Sequence, residues 1–313
     1  MYSVVVPVYK NEATLPALVE RLERLNHDLD GSLETVFVVD GSPDGSYLVL
    51  KELLPKAEFA SELIALSRNF GSFAAIRQGL EVAAGPYFAV MAADLQEPTE
   101  LIADFFRILA TGEVDITIGV RVERADPFLS SLSSRVFWGA YRMLIQREVP
   151  PGGVDVFGCN LVVRDAVGSL RESNSSLVGL LFWLGFRRKS VLYERLPREH
   201  GSSGWTLRRK VRYLFDSAFS FTDLPIAALL TVGAIGIVAS AVLGIAALVL
   251  RLLGDIPVPG YTPIILLLVF SLSTILFGLG IVGSYVWRTF ENSKGRPLYV
   301  PLSREHFGKD ESQ

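Results

Sequence analysis

Residues 3–12 read SVVVPVYKNE, a short run rich in β-branched residues that ends in a polar turn. Similar runs occur at four further places with helix-like patterns between them, so the sequence predicts alternating strands and helices. Such alternation is typical of an α/β domain whose mostly parallel sheet is covered on both faces. The five predicted strands are Ser3–Pro7, Thr35–Val39, Leu63–Leu66, Tyr87–Met91 and Asp115–Gly119.

The polar residues that directly follow these strands are the candidate ligand-binding residues, because open α/β sheets bind ligands at the carboxyl ends of their strands. Asp40 lies in VVDGSPDGS, which is also a good turn and helix-cap sequence, so both a binding role and a turn role stay open for it. Asp94 follows the apolar run FAVMAA and precedes LQEP. Its position predicts that Asp94 and Gln96 share a Mg²⁺ or Mn²⁺ ion with a diphosphate.

Two stretches without any charged residue, 225–250 and 256–287, raise the mean hydropathy of the chain to +0.37. About 20 apolar residues suffice for a helix to cross the hydrocarbon core of a membrane, so these stretches predict a two-helix transmembrane hairpin. Basic residues flank both outer ends, which places the flanks and the N-terminal domain in the cytoplasm of an integral, multi-pass membrane protein. The net charge of -3 argues against a nucleic-acid partner.

Two further stretches have the pattern of basic amphipathic helices that lie in a membrane interface. One is near 130–147, and the other, TLRRKVRYLFDSAFSF at 206–221, directly precedes the first uncharged stretch. The second stretch carries a cluster that we expect to contact anionic lipid headgroups, namely Arg208, Arg209, Lys210 and Arg212. The single cysteine, Cys159, is predicted to be a small buried apolar residue.

In order along the chain, these motifs resemble those of the polyisoprenyl-phosphate glycosyltransferases, inverting family-two enzymes that include the dolichol-phosphate mannose synthases. The resemblance covers essentially the whole chain. It rests on SVVVPVYKNE, VVDGSPDGS, LSRNFG, ADLQEP, YERLPR, GSSGWTLRRK, the paired membrane helices and GRPLYV. It implies a GT-A nucleotide-diphospho-sugar transferase fold, a nucleotide-sugar donor and a polyprenyl phosphate acceptor. It also implies a homo-oligomer such as a tetramer.

The resemblance also implies roles for individual residues. Asp94 and Gln96 would hold the metal and the diphosphate, and Arg121 and Arg198 would bind phosphates of donor or acceptor. Guanidinium groups suit that task because they bind phosphate oxygens bidentately and stay charged. The residues implied to surround the nucleotide are Pro7, Tyr9, Asn11 and Asp40.

The sequence departs from the family pattern at several charged positions. Ala92 and Val39 replace acidic residues, and Gly204 replaces a lysine. These losses leave open a catalytically silent membrane scaffold that binds a nucleotide. Among enzymes, the alternative is a processive polysaccharide synthase, but its Gln-x-x-Arg-Trp motif and additional membrane helices are not found in the sequence.

The predicted organisation has six parts. The catalytic domain comes first, then a basic juxtamembrane helix, two transmembrane helices joined by a short non-cytoplasmic loop, and a cytoplasmic tail. The catalytic domain is 1–205, the juxtamembrane helix 206–223, the first transmembrane helix 224–253, the loop 254–262, the second transmembrane helix 263–287 and the tail 288–313.

Overall fold

The computed structural model describes residues 1–122, 137–151, 153–154, 156–170, 172, 176–196, 207–253 and 261–308. The chain divides into two compact units, which are Met1–Tyr213 with Arg296–Gln313, and Leu214–Gly295. The first unit is built on an eight-stranded sheet, and the described elements of the second are helices.

The sheet of the first unit is mixed and mostly parallel, as predicted. Its strand order is β7-β5-β6-β4-β1-β2-β3-β8, in which β6 and β8 run antiparallel to their neighbours. The strands are β1 Tyr2–Val8, β2 Leu33–Val39, β3 Ala60–Leu66, β4 Tyr87–Val90, β5 Ile116–Arg121, β6 Phe157–Asn160, β7 Arg188–Tyr193 and β8 Pro301–Phe307.

Helices connect these strands and cover the sheet. The labelled helices of the first unit are α1 Leu15–Asp28, α2 Ser46–Leu53, α3 Ser72–Val82, α4 Thr99–Ala110, α5 Leu161–Ser169 and α6 Leu177–Trp183, with a short 3₁₀ turn at Leu54–Lys56 and a further helical segment at 137–144. Three more helices follow, α7 Leu207–Phe221, α8 Leu224–Leu252 and α9 Tyr261–Ser293.

The core lies on both faces of the central strands. Every residue of β2 is buried, which explains why LETVFVV has no strict apolar and polar alternation. Helix α1 buries the apolar face predicted from its periodicity, including Leu18 and Leu22, and α4 likewise buries Phe105 and Phe106. Each fully buried side chain of this kind contributes about 1.5–3 kcal/mol, so the central strands are a rigid base for the loops at their ends.

Strand β7 was not identified from the sequence, and neither was strand β6. The four residues of β6, FGCN, contain a glycine and an asparagine, which are uncommon in strands. The structure shows why a glycine is present, since a Cβ atom on Gly158 would lie 2.7 Å from Oγ1 of Thr117 and 3.1 Å from the carbonyl oxygen of Phe88. Cys159 in the same strand is buried as predicted, and burial raises the pKa of its thiol to about 12.

The predicted tail at 288–313 contains a strand that the sequence analysis did not identify. Strand β8 pairs antiparallel with β3 and ends one edge of the sheet. Arg304 donates from Nε to Oε2 of the buried Glu62 at 2.8 Å, and Nδ1 of His306 lies 3.1 Å from Oε1 of the same carboxylate. The predicted tail therefore belongs to the first unit from Arg296 onward, whereas 288–295 belong to the second unit.

The contacts of Glu62 lead to a prediction about stability. Burial alone would raise the pKa of Glu62, but hydrogen bonds from Arg304 and His306 bring it below its ordinary value. A lowered folded-state pKa means that the carboxylate stabilises the fold above the unfolded-state pKa of about 4.3 and loses this effect as the pH falls through the folded-state pKa. We expect Glu62→Gln to cost about 1 kcal/mol at pH 7, since Arg304 is half exposed.

Hydrogen exchange of β8 measures this effect. The Glu62→Gln variant should exchange faster than the wild type at pH 7, and the difference should shrink below about pH 4. Lys56→Gln is the control, because its contact with Glu52 is exposed on both sides and involves no residue of β8. Equal exchange rates for wild type and Glu62→Gln at pH 7 would contradict the prediction.

The amphipathic stretch predicted near 130–147 falls partly outside the described residues. Its described part is helical at 137–144 and buries Tyr141 completely, with the ring stacked on Tyr213 at 5.8 Å between centroids. This part of the stretch therefore packs within the first unit through an aromatic side chain. The predicted contact of the stretch with a membrane stays a prediction.

The second unit contains the end of α7 with α8 and α9. Arg288 on α9 donates to Oδ1 of Asp216 at 2.6 Å, and its guanidinium lies 5.2 Å from the ring centre of Phe219. By length and composition, one described helical segment, Phe270–Ser293, could cross a membrane on its own. The segments Val211–Phe221 and Leu224–Gly236 meet the same criterion only together, across a bend of 83°.

Candidate active site

The turn after β1 is bonded to the turn after β2. The backbone N–H of Lys10 donates to Oγ of Ser42 at 2.8 Å, and the backbone N–H of Asn11 donates to Oγ of Ser46 at 3.3 Å. The side chain of Asn11 is used within its own turn, where Oδ1 accepts from the backbone N–H of Tyr9 at 3.1 Å. Tyr9 itself is exposed, so its ring is available to a ligand at this edge.

Asp44 organises the turn after β2. Its Oδ1 accepts from the hydroxyls of Ser42 at 2.5 Å and Ser46 at 2.7 Å, and its Oδ2 accepts from the backbone N–H of Glu12 at 3.2 Å. Burial alone would raise the pKa of Asp44, but these hydrogen bonds hold it below its ordinary value. The turn interpretation of GSPDGS therefore applies to Asp44.

Asp40 joins the end of β2 to the loop before α3. The side chain is 2% exposed, and its two oxygens accept from the backbone N–H groups of Phe70 at 2.7 Å and Gly71 at 2.8 Å. Burial raises the pKa of Asp40, although the two backbone N–H groups and the nearby Arg68 oppose that rise. Its carboxylate fixes the position of the loop at 67–71 relative to β2.

Gly41 permits the close approach of these two loops. Its φ of +55° is in the left-handed region, and a Cβ atom at this position would lie 2.3 Å from the backbone carbon of Arg68 and 2.4 Å from the backbone nitrogen of Asn69. No side chain fits there without moving the backbone. The glycine of VVDG is thus required by packing as well as by conformation.

Asp94 lies in a tight corner after β4. Its Oδ1 accepts from the backbone N–H of Gln96 at 3.3 Å, and the intervening Leu95 is buried with a φ of +61°. Gln96 is buried and donates from Nε2 to the carbonyl oxygen of Leu196 at 3.3 Å, while its own carbonyl accepts from the backbone N–H of Leu196 at 2.9 Å. The corner is therefore held from two sides.

The corner is also bonded to the chain after β1. Oγ1 of Thr14 lies 2.6 Å from the carbonyl oxygen of Ala93, and Nη1 of Arg21 donates to the carbonyl oxygen of Leu95 at 3.0 Å. The contacts link the predicted residues Tyr9 and Asn11 with Asp40 and Asp94 through one continuous set of loops. Sequence reasoning missed Thr14, Arg21 and Leu196, which support this set.

The structure describes some of the predicted basic residues but not all of them. Arg121 is the last residue of β5, opposite Tyr193 of β7, and Pro7 lies in β1 opposite Val38. Arg198 lies outside the described residues, which reach Leu196 two positions earlier. Of the predicted lipid-binding cluster, Arg212 is exposed on α7, and the backbone of 208–210 is helical.

The oxygen atoms at the corner suit a divalent metal that binds together with a phosphate-containing ligand. In the part of the chain that the structure describes, no group of three His, Cys, Asp or Glu side chains could hold a metal alone. Mg²⁺ and Mn²⁺ favour oxygen ligands, and Mg²⁺ is usually bound through one or two carboxylates together with substrate phosphates. The half-buried Asp94 and the amide oxygen of Gln96 fit that pattern.

Comparisons with known proteins connect this geometry with a family. Residues 3–170 match the model described as Glycosyl transferase family 2. CsbB of Bacillus subtilis (strain 168), named as a glycosyltransferase, is 32% identical over 303 residues, which are 96% of this chain and 91% of CsbB. An undecaprenyl-phosphate 4-deoxy-4-formamido-L-arabinose transferase of Pseudomonas aeruginosa (strain LESB58) is 31% identical over 308 residues, which cover 96% of this chain and 88% of that protein.

A solved structure is also similar. The mannosyltransferase PcManGT from Pyrobaculum calidifontis, in complex with GDP-Man and Mn²⁺, has a TM-score of 0.46 and 16% identity, and the match covers 91% of this chain and 87% of that chain.

The mixed sheet with its bonded loops and carboxylates at one edge is that of a glycosyltransferase. The chain belongs to glycosyltransferase family 2. The predicted family and the GT-A fold are both confirmed, and the class favours an enzyme over a silent scaffold.

Proposed function

We propose that this glycosyltransferase moves a sugar from a nucleotide-diphospho-sugar to a polyprenyl phosphate at the cytoplasmic face of a membrane. The observation that carries the proposal is the corner of Asp94 and Gln96, bonded to the loops after β1 and β2 in a chain that also contains a long apolar helix. Similarity to an undecaprenyl-phosphate sugar transferase over 96% of the chain supports the acceptor.

The donor would bind along the bonded loops. Tyr9 is exposed at the edge of the sheet, and Pro7, Asn11 and Asp40 would surround the nucleotide with it. Asp94 and Gln96 would hold Mg²⁺ or Mn²⁺ at the diphosphate. When bound, the metal would stabilise negative charge on the departing nucleoside diphosphate.

The acceptor needs positioning more than activation. A phosphate monoester is already anionic near neutral pH, so its oxygen can attack without a strong general base. That oxygen forms a bond to the anomeric carbon, the bond from this carbon to the donor diphosphate breaks, and the nucleoside diphosphate leaves with the bonding electrons. Attack opposite the leaving group inverts the anomeric centre. Arg121 and Arg198 would bind the phosphates and offset the charge of the anionic partners.

Membrane anchoring would come from the second unit. The side chains of α8 and α9 that are exposed in the described chain include large apolar ones, such as Leu230, Ile235, Phe277 and Leu279. An apolar outer surface of this kind is expected for helices in contact with lipid. We propose that α8 and α9 form the transmembrane hairpin.

Mass spectrometry of lipid products tests the proposed function. Purified protein in detergent or nanodiscs is incubated with undecaprenyl phosphate, Mn²⁺ or Mg²⁺ and a panel of nucleotide-sugars. We expect one donor to yield undecaprenyl phosphate carrying a single sugar. Products with several sugars would instead indicate a processive synthase, and no turnover of any donor would favour a nucleotide-binding scaffold.

The topology gives a second test. Reporters fused before Met1 and after Gln313 should both report the cytoplasm, because the basic flanks of the apolar stretches favour that side. A reporter inserted at Pro259 should report the opposite side. A cytoplasmic signal from Pro259 would contradict the hairpin.

The basic cluster on α7 should affect the KM for the lipid acceptor and not the KM for the donor. Replacing Arg208, Arg209, Lys210 and Arg212 with glutamine should raise the KM for lipid acceptor and weaken its dependence on anionic lipid, since each basic residue near such a surface contributes about 1 kcal/mol. Donor KM should stay unchanged. Kinetics in nanodiscs of defined lipid charge measure both constants. Arg198→Ala is the comparison variant, and we expect it to lower turnover at saturating lipid. An unchanged KM for lipid acceptor in the glutamine variant would exclude docking by the cluster.

A further inference from the structure

Helix α1 makes two contacts with the corner that contains Asp94. Thr14 is the residue at the N-terminal cap of α1, and Arg21 lies seven positions later. Seven residues are close to two full turns of an α-helix, so both side chains leave the helix on the same side. They contact the carbonyl oxygens of Ala93 and Leu95, which directly precede and follow Asp94.

The hydroxyl of Thr14 is committed to the corner. It carries one hydrogen and lies 2.6 Å from the carbonyl oxygen of Ala93 and 3.0 Å from that of Asn11. The carbonyl of Asn11 already accepts from the backbone N–H groups of Thr14 at 2.9 Å and Leu15 at 3.2 Å. The shorter contact therefore takes the hydrogen. Thr14 makes no side-chain capping bond to its own helix, although threonine at this position commonly does.

Arg21 acts on a backbone that is under strain. Leu95 has a φ of +61°, a conformation that costs a non-glycine residue about 1 kcal/mol or more. Its carbonyl oxygen accepts from Nη1 of Arg21 at 3.0 Å. A charged donor forms a stronger hydrogen bond than a neutral one, so the guanidinium stabilises the strained turn.

From these contacts we infer that Thr14 and Arg21 are positioning residues that fix the carboxylate of Asp94 for the metal and diphosphate. With both flanking carbonyls bonded to α1 and Oδ1 of Asp94 accepting from the backbone N–H of Gln96, the protein itself holds the backbone of the corner and one oxygen of the carboxylate. Preorganised ligands lose less conformational freedom on binding, so metal affinity depends on this support. The inference rests on the proposed function only through the assignment of metal to Asp94.

Binding of Mn²⁺ measures the positioning without catalysis. The electron paramagnetic resonance signal of free Mn²⁺ is followed as full-length protein is added, with UDP and then GDP as the nucleoside diphosphate. We expect Thr14→Val and Arg21→Gln each to raise the Kd for Mn²⁺ about five- to tenfold. Thr14→Ser should stay within twofold of the wild type, because it keeps the hydroxyl.

A matched control separates positioning from general stability. Arg24 is on the same helix and forms an ion pair with Glu20 at 3.5 Å, with both side chains about two-thirds exposed. Arg24→Gln should leave the Kd for Mn²⁺ unchanged. If Thr14→Val does not fold, Arg21→Gln carries the test, since its side chain is partly exposed.

The possible failures are distinguishable. If the wild type binds no Mn²⁺ with either nucleotide, the metal assignment of the proposed function is wrong. If the wild type binds Mn²⁺ and folded Thr14→Val and Arg21→Gln bind it equally well, the positioning inference is wrong and the metal assignment stands. A lowered melting temperature with an unchanged Kd for Mn²⁺ would indicate a structural role alone.

Discussion

Asp94→Asn should lower transfer by about 100-fold or more while the protein stays folded and bound to the membrane. Asp94 is the carboxylate at the corner after β4, and its replacement by a neutral amide removes the charge that would bind the metal. Losing one major electrostatic contribution to a transition state commonly costs on the order of 10²–10³ in rate. Initial rates with saturating Mn²⁺ and donor measure the effect.

Two variants accompany this measurement. Gln96→Ala should be milder, since a neutral ligand contributes less charge stabilisation. Asp104→Asn is the matched control, because its side chain is near the surface of α4 and contacts Arg107 of the same helix. Near-native turnover of Asp94→Asn in the presence of metal would show that the site is assigned to the wrong residue.

Gly41→Ala should destabilise the first unit by about 3 kcal/mol or more, at the upper end of single substitutions. The new methyl group would collide with backbone atoms of Arg68 and Asn69, which cannot rotate away as a side chain does. The left-handed conformation adds about 1 kcal/mol for a residue with a Cβ atom. Thermal unfolding of the purified protein measures the change.

Gly112→Ala separates the two contributions. Gly112 also has a positive φ, +73°, but a Cβ atom there would meet nothing within 4 Å. Its replacement should therefore show only the conformational cost of about 1 kcal/mol. Equal losses of stability in Gly41→Ala and Gly112→Ala would show that the loops after β2 and β3 do not approach closely in solution.

The central part of the fold could be predicted because its signals are local. LETVFVV is an uninterrupted apolar run, and the helices beside it have apolar residues at helical spacing. Strands β6 and β8 lack such signals. FGCN is short and contains a glycine, and PLSREHF carries charged residues because it is an edge strand. Both strands are defined by neighbours that are distant in sequence.

The site was predictable to a similar degree. Asp94 and Asp40 follow predicted strands, and the rule that ligands bind at strand ends located both. The supporting residues depend on tertiary contacts. The position of Thr14 predicts an ordinary helix cap, and Arg21 lies within a charged helical pattern that favours a solvated side chain. Only the folded chain brings them to the carbonyls beside Asp94.

The pairing of β8 with β3 has a consequence for biosynthesis. Ser61 of β3 faces Phe307 of β8, so the two partners are separated by most of the chain, including α8 and α9. A ribosome adds about 5–20 residues per second, so the open edge of β3 would wait on the order of 10–50 s for its partner. An uncovered strand edge invites pairing with other chains. Nascent molecules that stall within the apolar helices would therefore expose β3, and aggregation should begin at that edge.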